Sequence, residues 1–473
     1  MSWGGTPNAL EHIDHFVLLM LENRSFDNML GWLDSPGTPF APPAGTVPLD
    51  GLFGRRLANP VPAGLAPGHA RTVVPGRTWN SRTPDPDPGE GFAHTHLQLY
   101  GVPLAAGAVP PGPAPMDGFV RDYIEVLAAA HRPLAPDLYG QVMDGFAPAA
   151  VPVMSGLARA YAVCDGWHAS VPSETLPNRA FALAGTSLGQ ADNTPYTHWL
   201  ALDVPTICNR IQDAGIPGLT WRVYYDLLDV LPLSWLQFPR LRPFLFSHFS
   251  GMDAFWKDAA AGTLPSFAFI EPRLLVDPND QHPPYSVAPG EALIHAVVQA
   301  LAGGPAWEHT LLAITYDEHG GCFDHVPPPA AVPPEGTTAG QYGFGFNRLG
   351  VRIPAVLVSP WIPPATVFRG QGENGPVALD HTSWLATVER RFGLAPLTRR
   401  DAAATDLAAA LSLAAPRRDR PVLPRPAPAS PSRARSVLAD HVRRLAEGLA
   451  QIPAQDREMR ARIGEYLRRS TDG

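Results

Sequence analysis

The densest group of side chains able to do chemistry lies between Thr310 and His325, in the segment TLLAITYDEHGGCFDH. Its apolar run predicts a buried strand that ends at Asp317, Glu318 and His319, before a Gly-Gly turn that lets the backbone approach closely. Adjacent carboxylates just past a strand end repel each other unless a cation or a proton lies between them. A capped turn with solvated acids does not account for this clustering of acids and histidines, so the segment predicts a metal site.

A second pair of oxygen donors, Glu22 and Asn23, follows the apolar run from Ile13 to Leu21. That run has the pattern of a buried parallel strand, and active sites of open α/β sheets lie at the carboxyl ends of such strands. Taken alone, Asn23 would be interpreted as a helix cap. Together with Asp317 and Glu318 the pair makes an oxygen-rich site, which suits calcium, magnesium or manganese better than zinc, although zinc stays compatible.

The third segment with chemical potential runs from Val171 to Ser187 and places Thr175 between Glu174 and a Leu-Pro turn. Thr175 offers a hydroxyl that a metal can activate. Asn178 and Arg179 stand at a predicted helix start, where amide and guanidinium donors can bind phosphate oxygens. A capped helix with proline in its first turn explains the segment as well when it is considered by itself.

The same segment contains Gly-Thr-Ser-Leu-Gly around Ser187, which matches the G-x-S-x-G nucleophile elbow of serine esterases. An elbow needs a sharp turn from strand to helix, but residues 181–184 continue a helical pattern. No oxyanion motif of clustered glycines precedes it. We therefore interpret this match as chance.

Several histidines lie in surroundings that suit acid-base chemistry. His282 lies in Asn-Asp-Gln-His-Pro-Pro, His381 begins a predicted helix, and either His94 or His96 lies within GEGFAHTHLQLYG. A histidine poised near neutrality can protonate a leaving alkoxide. The sequence does not establish which of these side chains reaches the site.

The elements that position these residues alternate along the chain. Strands are predicted over residues 13–21, 220–225, 266–270, 310–316 and 351–358, and helices over 24–33, 291–301 and 382–392. This alternation predicts an α/β fold, with a doubly wound, mostly parallel sheet and helices on both of its faces.

The predicted domain organisation is one catalytic domain over residues 1–415, followed by a Pro/Arg-rich linker over 416–434 and a helical segment over 435–473. Two loop insertions interrupt the catalytic domain. The insertion at about 34–150 is irregular near its Pro-Asp-Pro-Asp-Pro tract. The insertion at about 226–260 is apolar and aromatic, and fits a lipid-accepting lid and a buried core equally well. The C-terminal helix fits docking onto the core or onto a second subunit, so the oligomeric state stays open.

Composition limits the partners of the protein. A net charge of −8 and an isoelectric point near 6.0 give no global attraction to nucleic acid, so a nucleic-acid partner is not expected. No apolar run reaches the roughly 20 residues that span a bilayer, and the N-terminal residues lack signal-peptide features, so a cytoplasmic location is expected. The three cysteines cannot all pair and show no Cys-x-x-Cys spacing, which predicts reduced, structural thiols.

Taken in order, these segments resemble the bacterial phosphoesterase family of non-haemolytic phospholipases C and an acid phosphatase, within the alkaline phosphatase superfamily. The resemblance spans about Ile13 to Leu394 and rests on IDHFVLLMLENRSFDNMLGWL, SETLPNRAFALAGTS, NDQHPPYSVAPGEALI, TLLAITYDEHGGCFDHVPPP and LDHTSWLATVERRFG. Several motifs in the same order argue against coincidence. The resemblance implies an alkaline-phosphatase-like α/β fold and a metal-dependent phosphate-ester hydrolase.

The resemblance also implies roles for individual residues. One divalent metal would be held by Glu22, Asn23, Asp317, Glu318 and Thr175, the last of which would also be the nucleophile. His282 and His381 would act on the phosphate or the leaving group. The predicted substrate contacts are Asn178, Arg179, His94 and His319. Many relatives have a histidine where this chain has Glu90, so one active-site histidine is missing here or is replaced by His94.

The implied reaction has two steps, in which Thr175 attacks phosphorus and water then hydrolyses the resulting phosphothreonine. The expected function is phospholipase C-like hydrolysis of a phospholipid, releasing diacylglycerol and a phosphorylated headgroup. One alternative is an acid phosphatase that acts on small phosphomonoesters. Another, from a different class, is a non-catalytic protein that binds phospholipid or phosphate on a degenerate site. A serine esterase built on Ser187 is the least favoured.

Overall fold

The computed structural model describes residues 9–43, 46–63, 71–104, 112–229, 231–275, 277–336, 339–372 and 375–426, with Arg443, Arg444 and Glu447. Its centre is an eight-stranded sheet. In chain order the strands are β1 (His15–Leu21), β2 (Ala162–Val163), β3 (Trp221–Tyr225), β4 (Phe249–Gly251), β5 (Phe267–Glu271), β6 (Thr310–Tyr316), β7 (Ala355–Val358) and β8 (Thr366–Val367). Their spatial order is β8-β2-β7-β6-β1-β5-β3-β4, so the first strand of the chain lies near the middle of the sheet.

Most neighbouring strands are parallel, as predicted. β1 pairs in parallel with β5 and β6, β3 pairs in parallel with β4 and β5, and β2 with β8. β7 is antiparallel to both β6 and β2. An antiparallel neighbour needs no crossover helix, and the described chain between β6 and β7 contains only the short 3-10 helix Gln341–Gly343. The strand predicted over 351–358 is therefore shorter than expected and runs against its neighbours.

The helices and small ladders complete the described secondary structure. The α-helices are α1 (Phe26–Leu30), α2 (Phe92–Tyr100), α3 (Phe119–Ala129), α4 (Pro136–Tyr139), α5 (Pro152–Ala160), α6 (Thr175–Ala184), α7 (Tyr196–Leu200), α8 (Ile207–Ala214), α9 (Leu233–Gln237), α10 (Leu245–His248), α11 (Met252–Ala261), α12 (Ala288–Gly303), α13 (His381–Phe392) and α14 (Arg399–Ala403). Further 3-10 helices cover Ala9–His12, Gly140–Met143, Leu227–Asp229, Pro239–Phe244, Trp307–His309 and Ala408–Ala410. Short ladders join Asn59–Pro60 to Thr72–Val73, Arg77–Thr78 to Gly145–Phe146, and Gly370–Gly372 to Gly375–Val377.

Helices cover both faces of the sheet, and β3 shows this directly. Its Trp221 indole donates a hydrogen bond to Gln212 of α8, whereas Tyr224 packs edge-on against Phe255 of α11. Side chains three positions apart on a strand point to opposite faces. Helix α11 packs on α12 and α12 on α5, while α8 packs on α6 and α6 on α13, so each face carries its own helix layer.

The central strands are buried on both sides. Residues 16–21 of β1 and all of β6 are at most 1% exposed. A strand that is buried on both faces needs apolar residues at every position, whereas a strand with one exposed face alternates apolar and polar residues. This burial leaves the polar residues after each strand as the first groups able to reach solvent or substrate.

The two predicted insertions contribute their own packing. The first contains α2, α3 and α4, and builds a second apolar cluster around Phe119, Tyr123 and Leu127. The second insertion belongs mainly to the hydrophobic core, because Trp235, Phe238 and most of the apolar residues around them are buried. Its exposed large apolar side chains are Leu227, Leu228 and Phe246.

Three sequence predictions concern the chain as a whole. Cys164, Cys208 and Cys322 are buried and unpaired, as expected for structural thiols. Within the ranges that the structure describes, no helix combines the length and apolarity required to cross a bilayer. The predicted C-terminal helix lies outside the described residues apart from Arg443, Arg444 and Glu447, and the predicted domain limits stay predictions.

Candidate active site

The carboxyl ends of β1 and β6 bring the predicted site residues together. The parallel register pairs Leu21 with Tyr316. Backbone pairing continues one step beyond the strands, because the Asp317 amide donates to the Leu21 carbonyl at 3.1 Å and the Arg24 amide donates to the Glu318 carbonyl at 3.0 Å. The two acid-bearing segments are therefore held side by side by the sheet itself.

An unusual backbone turn fixes Asn23 between them. Asn23 has φ +58°, a left-handed conformation that asparagine tolerates better than most residues, and its amide donates to Asp317 Oδ1 at 3.0 Å. Gly320, with φ +61°, packs so closely that a Cβ there would lie 2.0 Å from the Asn23 carbonyl oxygen. The Gly-Gly turn seen in the sequence is thus required by close approach of two backbones.

Several oxygens at these strand ends are buried without a hydrogen bond to any described residue. They are Asn23 Oδ1, Asp317 Oδ2, Glu318 Oε1 and Asp280 Oδ2. Isolated buried carboxylate oxygens are costly, and hard divalent cations take such oxygens as ligands. The donor set therefore fits a divalent cation.

The pKa shifts of the clustered carboxyl groups also favour a bound cation. Burial raises the pKa of Glu22 well above its ordinary value, with Arg179 opposing the rise and Asp317 adding to it. Burial likewise raises the pKa of Glu318, with a further contribution from Asp317. Burial raises the pKa of Asp280 to about 7. A bound cation would reverse these shifts by stabilising the ionised forms.

Thr175 is the first residue of α6 and is 1% exposed. Its hydroxyl group donates a hydrogen bond to Glu22 Oε2, with an oxygen–oxygen distance of 3.4 Å. The next backbone amide, that of Leu176, is fixed by Asn193 Oδ1 at 2.7 Å, which holds the start of the helix in place. The structure therefore brings the predicted nucleophile to the carboxylates of β1.

The two neighbours predicted to bind phosphate differ in their surroundings. The Arg179 guanidinium pairs with Glu22 and lies 3.9 Å from Asp317 Oδ2, while its Nη1 has no hydrogen bond among the described residues. Asn178 instead uses its amide on the loop before the helix, donating to the Ser173 carbonyl at 2.9 Å and accepting from the Val171 amide at 2.9 Å. Arg179 thus lies in the carboxylate cluster, whereas Asn178 shapes the loop that presents Thr175.

His282 lies between two carboxylates that the sequence did not assign to the site. Its Nε2 is 3.4 Å from Glu90 Oε1 and its Nδ1 is 3.7 Å from Asp87 Oδ1. Asp87 belongs to the Pro-Asp-Pro-Asp-Pro tract, which we predicted as irregular surface structure. Burial raises the pKa of Glu90 well above its ordinary value, with Asp87, Glu318 and Glu174 adding to the rise. The tract therefore lines the site.

His319 and His94 occupy outer positions. His319 is buried, with Nδ1 3.1 Å from Glu318 Oε2 and Nε2 2.7 Å from Gln98 Oε1, and burial lowers its pKa to about 3. Because both of its nitrogens have partners, it lies behind Glu318. His94 is 46% exposed and pairs with Asp122 at 2.8 Å, so the structure leaves it at the rim.

His381 is the first residue of α13 and is 1% exposed. Its Nε2 lies 2.7 Å from the Asp317 carbonyl, whereas its Nδ1 has no hydrogen bond to any described residue. Burial lowers its pKa, which favours the neutral ring. The structure thus brings His381 to the strand end that carries the acids.

Sequence reasoning missed Asp87, Asp280 and Gln98 as parts of the site. Asp280 stands two positions before His282, and its backbone carbonyl accepts from the Glu22 amide at 2.9 Å. Its position near His282, which the sequence analysis had chosen as a candidate, was the one feature that could have indicated Asp280. Gln98 carried no comparable signal, because its role depends on where α2 lies relative to His319.

Ser187 has a structural role. It follows the left-handed Gly185 that ends α6, is buried, and donates its hydroxyl to the Gln190 carbonyl at 2.6 Å. It does not lie on a turn from strand to helix. The geometry agrees with the interpretation of the G-x-S-x-G match as chance.

A second buried group of acids lies beside α1 and already has its cation. Asp27, Asp324 and His325 place ligand-type atoms within 4.8 Å of one another. Arg352 donates to Asp324 Oδ1 at 2.8 Å and to Asp27 Oδ1 at 3.0 Å. This group is a buried ion network in which Arg352 supplies the positive charge. In the active site Arg179 pairs with Glu22, but Asp317 Oδ2 and Glu318 Oε1 still have no hydrogen bond to a described residue.

The fold and the site define an α/β enzyme whose polar reaction centre lies at the carboxyl edge of the sheet. The Phosphoesterase family model matches residues 13–395. Similar curated proteins include non-specific phospholipase C5 of Arabidopsis thaliana, 36% identical over 422 residues that cover 86% of this chain and 76% of the relative. Phospholipase C A of Mycobacterium tuberculosis is 29% identical over 468 residues, covering 87% of this chain and 80% of the relative. The solved structure of Ps i-CgsB matches at 14% identity with a TM-score of 0.33, covering 52% of this chain and 67% of that chain.

The chain belongs to the Phosphoesterase family, and it is a phosphoric ester hydrolase. The family match confirms the resemblance that the motifs indicated. It covers nearly the same span as the motifs, from β1 to the end of α13.

Proposed function

We propose that this protein is a metal-dependent, phospholipase C-like hydrolase that forms a covalent phosphoryl intermediate on Thr175. The observation that carries the proposal is the buried Thr175 hydroxyl, 3.4 Å from Glu22 in a cluster of partnerless oxygens. The phospholipase C names of the relatives support a phospholipid diester as substrate.

Asn23, Asp317 and Glu318 supply the partnerless donors for one divalent metal, and Glu22 and Thr175 lie beside them as further donors. Oxygen ligands favour calcium, magnesium or manganese. When bound, the metal would act as a Lewis acid that lowers the pKa of a coordinated hydroxyl and balances charge on phosphoryl oxygens. The orphaned buried oxygens support this assignment.

In the first step the Thr175 oxygen attacks phosphorus, and Glu22 Oε2 is placed to accept the hydroxyl proton. The product on Thr175 still carries the headgroup when the substrate is a diester. Arg179, at the same carboxylates, is placed to neutralise charge on the phosphoryl oxygens.

The leaving glycerol oxygen needs a proton, and His282 is placed to supply it. Its Nδ1 lies 2.5 Å from the Pro283 carbonyl and its Nε2 lies 3.4 Å from Glu90 Oε1, so both ring nitrogens have a neighbour that orients the imidazole. In the second step the same imidazole, now neutral, would take a proton from the water that hydrolyses the intermediate. Water attack releases the phosphorylated headgroup and restores the Thr175 hydroxyl.

The test is hydrolysis by the purified full-length chain of phosphatidylcholine in mixed micelles and of an aryl phosphate, before and after chelation. We expect diester cleavage that chelation abolishes and that calcium, magnesium or manganese restores. Asp317→Asn should lower the bound metal measured by mass spectrometry, whereas the exposed Asp213→Asn should not. Full activity in a metal-free preparation would overturn the metal assignment.

The substrate arms separate the alternatives. Preference for the aryl phosphate would favour an acid phosphatase over a phospholipase. Metal-loaded protein that binds phospholipid and hydrolyses neither substrate would favour a binding role.

A further inference from the structure

One part of the surface departs from the charge of the rest of the protein. Residues 53–63 and 71–82 contain five arginines and no aspartate or glutamate, in a chain whose net charge is −8. The arginines are Arg55, Arg56, Arg71, Arg77 and Arg82, and all five are exposed. Arg55 pairs with Asp50, whereas the other four have no acidic partner among the described residues. The whole-chain charge therefore conceals a local basic surface.

The same segment exposes large apolar side chains. Trp79 is 64% exposed, Val74 62% and Phe53 50%. A lone exposed apolar residue needs no explanation, but three of them on one acid-free basic segment form a pattern. We call Phe53, Arg55, Arg56, Val74, Arg77 and Trp79 the rim patch.

Contacts within the segment hold five of these residues next to one another, and Phe53 lies two positions before Arg55 in the chain. Arg55, Arg56 and Val74 line one groove together with Trp32. The Arg77 guanidinium lies 5.6 Å from the Trp32 ring and 6.0 Å from the Trp79 ring. The Trp32 indole also donates to the Gly76 carbonyl at 2.9 Å, which anchors the turn between Val74 and Arg77. Basic and apolar groups therefore share one surface.

The rim patch adjoins the active site. Two residues after Trp79, the Ser81 carbonyl accepts from the Val287 amide at 2.9 Å and its hydroxyl accepts from Ser286 at 2.9 Å. This is the loop that carries His282. The Thr83 carbonyl accepts from Arg24, which directly follows Glu22 and Asn23. The segment then continues into Asp87 and Glu90, so only a few residues of chain separate the patch from the active site.

We propose that the rim patch docks the protein onto an anionic lipid surface. Exposed tryptophan beside arginine is the composition that bilayer interfaces select, with the ring at headgroup level and guanidinium groups on phosphates. Val74 and Phe53 give apolar contact that a nucleic-acid backbone would not use. The choice of lipid as the occupant rests on the proposed function, but docking itself requires no catalysis.

The test is cosedimentation of the full-length chain with vesicles of phosphatidylcholine alone and of phosphatidylcholine with phosphatidylserine. We expect tighter binding to the anionic vesicles, weakened by salt. Arg56→Glu and Arg77→Glu should each weaken that binding on the order of tenfold, as expected for reversing one charge near a charged bilayer. Arg56 makes no ring contact and no ion pair with any described residue, so Arg56→Glu keeps the test valid if loss of the Arg77 ring contacts harms folding.

The matched control is Arg420→Glu. Arg420 is exposed and lines a groove with Gly303, which ends α12 on the far side of the sheet from the site. Arg420→Glu should leave vesicle binding unchanged. Trp79→Ser should weaken binding to both kinds of vesicle. Hydrolysis of a soluble aryl phosphate should stay at the wild-type level in all four variants, which separates docking from chemistry.

Vesicle binding should also persist in Thr175→Ala. If that variant binds vesicles, the docking proposal stands whether or not the catalytic proposal does. Equal binding to neutral and anionic vesicles, or equal losses in Arg56→Glu and Arg420→Glu, would overturn the docking proposal. Loss of binding to single-stranded RNA in Arg56→Glu, with no vesicle binding by the wild type, would assign the patch to nucleic acid instead.

Discussion

Thr175 and Ser187 are buried hydroxyls at opposite ends of α6 and have opposite surroundings. Thr175 lies against Glu22, whereas Ser187 donates to a backbone carbonyl. We expect Thr175→Ala to lower kcat/KM for phosphate-ester hydrolysis at least about 10³-fold, because it removes the nucleophile. Thr175→Ser should keep measurable turnover. Steady-state kinetics with phosphatidylcholine and an aryl phosphate give the comparison.

Ser187→Ala is the matched control, and it should leave phosphate-ester hydrolysis near the wild-type rate. Acid quenching followed by peptide mass analysis should find the phosphoryl adduct on Thr175 in the wild type and in Ser187→Ala, and should find none in Thr175→Ala. Near-wild-type turnover by Thr175→Ala would show that the nucleophile lies elsewhere.

Glu90 is the residue at which this chain departs from the expected family pattern. Its Oε1 lies 3.4 Å from His282 Nε2, so this buried carboxyl group is placed to position the imidazole that would protonate the leaving group. Glu90→Gln keeps the size of the side chain but changes its hydrogen bonding to His282. We expect kcat/KM for phosphatidylcholine to fall roughly tenfold, measured by steady-state kinetics.

Glu125→Gln supplies the control, since Glu125 is an exposed acid on α3 paired with Arg121. Its kcat/KM should equal that of the wild type. Wild-type kcat/KM in Glu90→Gln would show that Glu90 does not position His282 for catalysis.

At the scale of elements, buried carboxylates in this fold fall into two groups. Glu291 of α12 accepts the Val153 and Met154 amides at the start of α5, and Glu271 of β5 accepts the Leu233 and Ser234 amides at the start of α9. Those oxygens are satisfied by helix N-termini. The carboxylates after β1 and β6 have no such caps, which is why we assign the cation to them.

The turn after β6 determines how closely the two acid-bearing segments approach. A Cβ at Gly320 would lie 2.0 Å from the Asn23 carbonyl oxygen, in addition to the strain of φ +61°. We expect Gly320→Ala to lower the free energy of unfolding by roughly 3 kcal/mol and to reduce activity, because Asn23 must move. Chemical denaturation and hydrolysis assays measure the two effects.

Gly215 offers a control with the same dihedral angle. It also has φ +61°, but a Cβ there meets nothing within 4 Å. Gly215→Ala should therefore cost only about 1 kcal/mol and leave activity intact. Equal losses in the two variants would mean that backbone strain alone, and not the contact with Asn23, accounts for the effect.

At the scale of the whole molecule, the ion network ties α1, the loop after β6 and the segment before β7 into one body. His325 lies 2.6 Å from Asp27 and 3.1 Å from Asp50. Burial alone would lower its pKa, but these hydrogen-bonded carboxylates raise it to about 9. In the unfolded chain the value returns to about 6.5. A raised folded-state pKa contributes stability below pH ~6.5, and that contribution is lost as the pH rises through 9.

We therefore expect the free energy of unfolding to fall by about 3 kcal/mol between pH 6.5 and 9.5 from this histidine alone. His325→Gln should have a lower free energy of unfolding than the wild type at pH 6.5. In that variant the loss of stability that His325 causes between pH 6.5 and 9.5 should be absent. Urea denaturation at fixed metal concentration measures both. His309→Gln, at an exposed position, should follow the wild-type curve; a parallel decline in His325→Gln would refute the linkage.

The sequence by itself determined that the acidic residues lie at strand ends, because an apolar run that stops at polar residues can be recognised from local hydrophobicity alone. Leu21 to Asn23 and Tyr316 to Glu318 could be placed at strand ends without coordinates, and the parallel α/β class followed from the alternation of elements. These features are local in the chain, so composition and spacing are enough to predict them. The assignment of Thr175 as the nucleophile came from the resemblance to the family and stays a prediction.

Tertiary structure alone decided which distant segments complete the site. Asp87 lies in a tract that was predicted as irregular, and Glu90 was noted only as a departure from the family pattern, but folding places both beside His282. Gln98 reaches His319 across more than two hundred residues. The antiparallel direction of β7 and the exposure of the rim patch were equally absent from the sequence pattern. Contacts between segments far apart in sequence depend on loop paths and packing, which short-range periodicity does not encode.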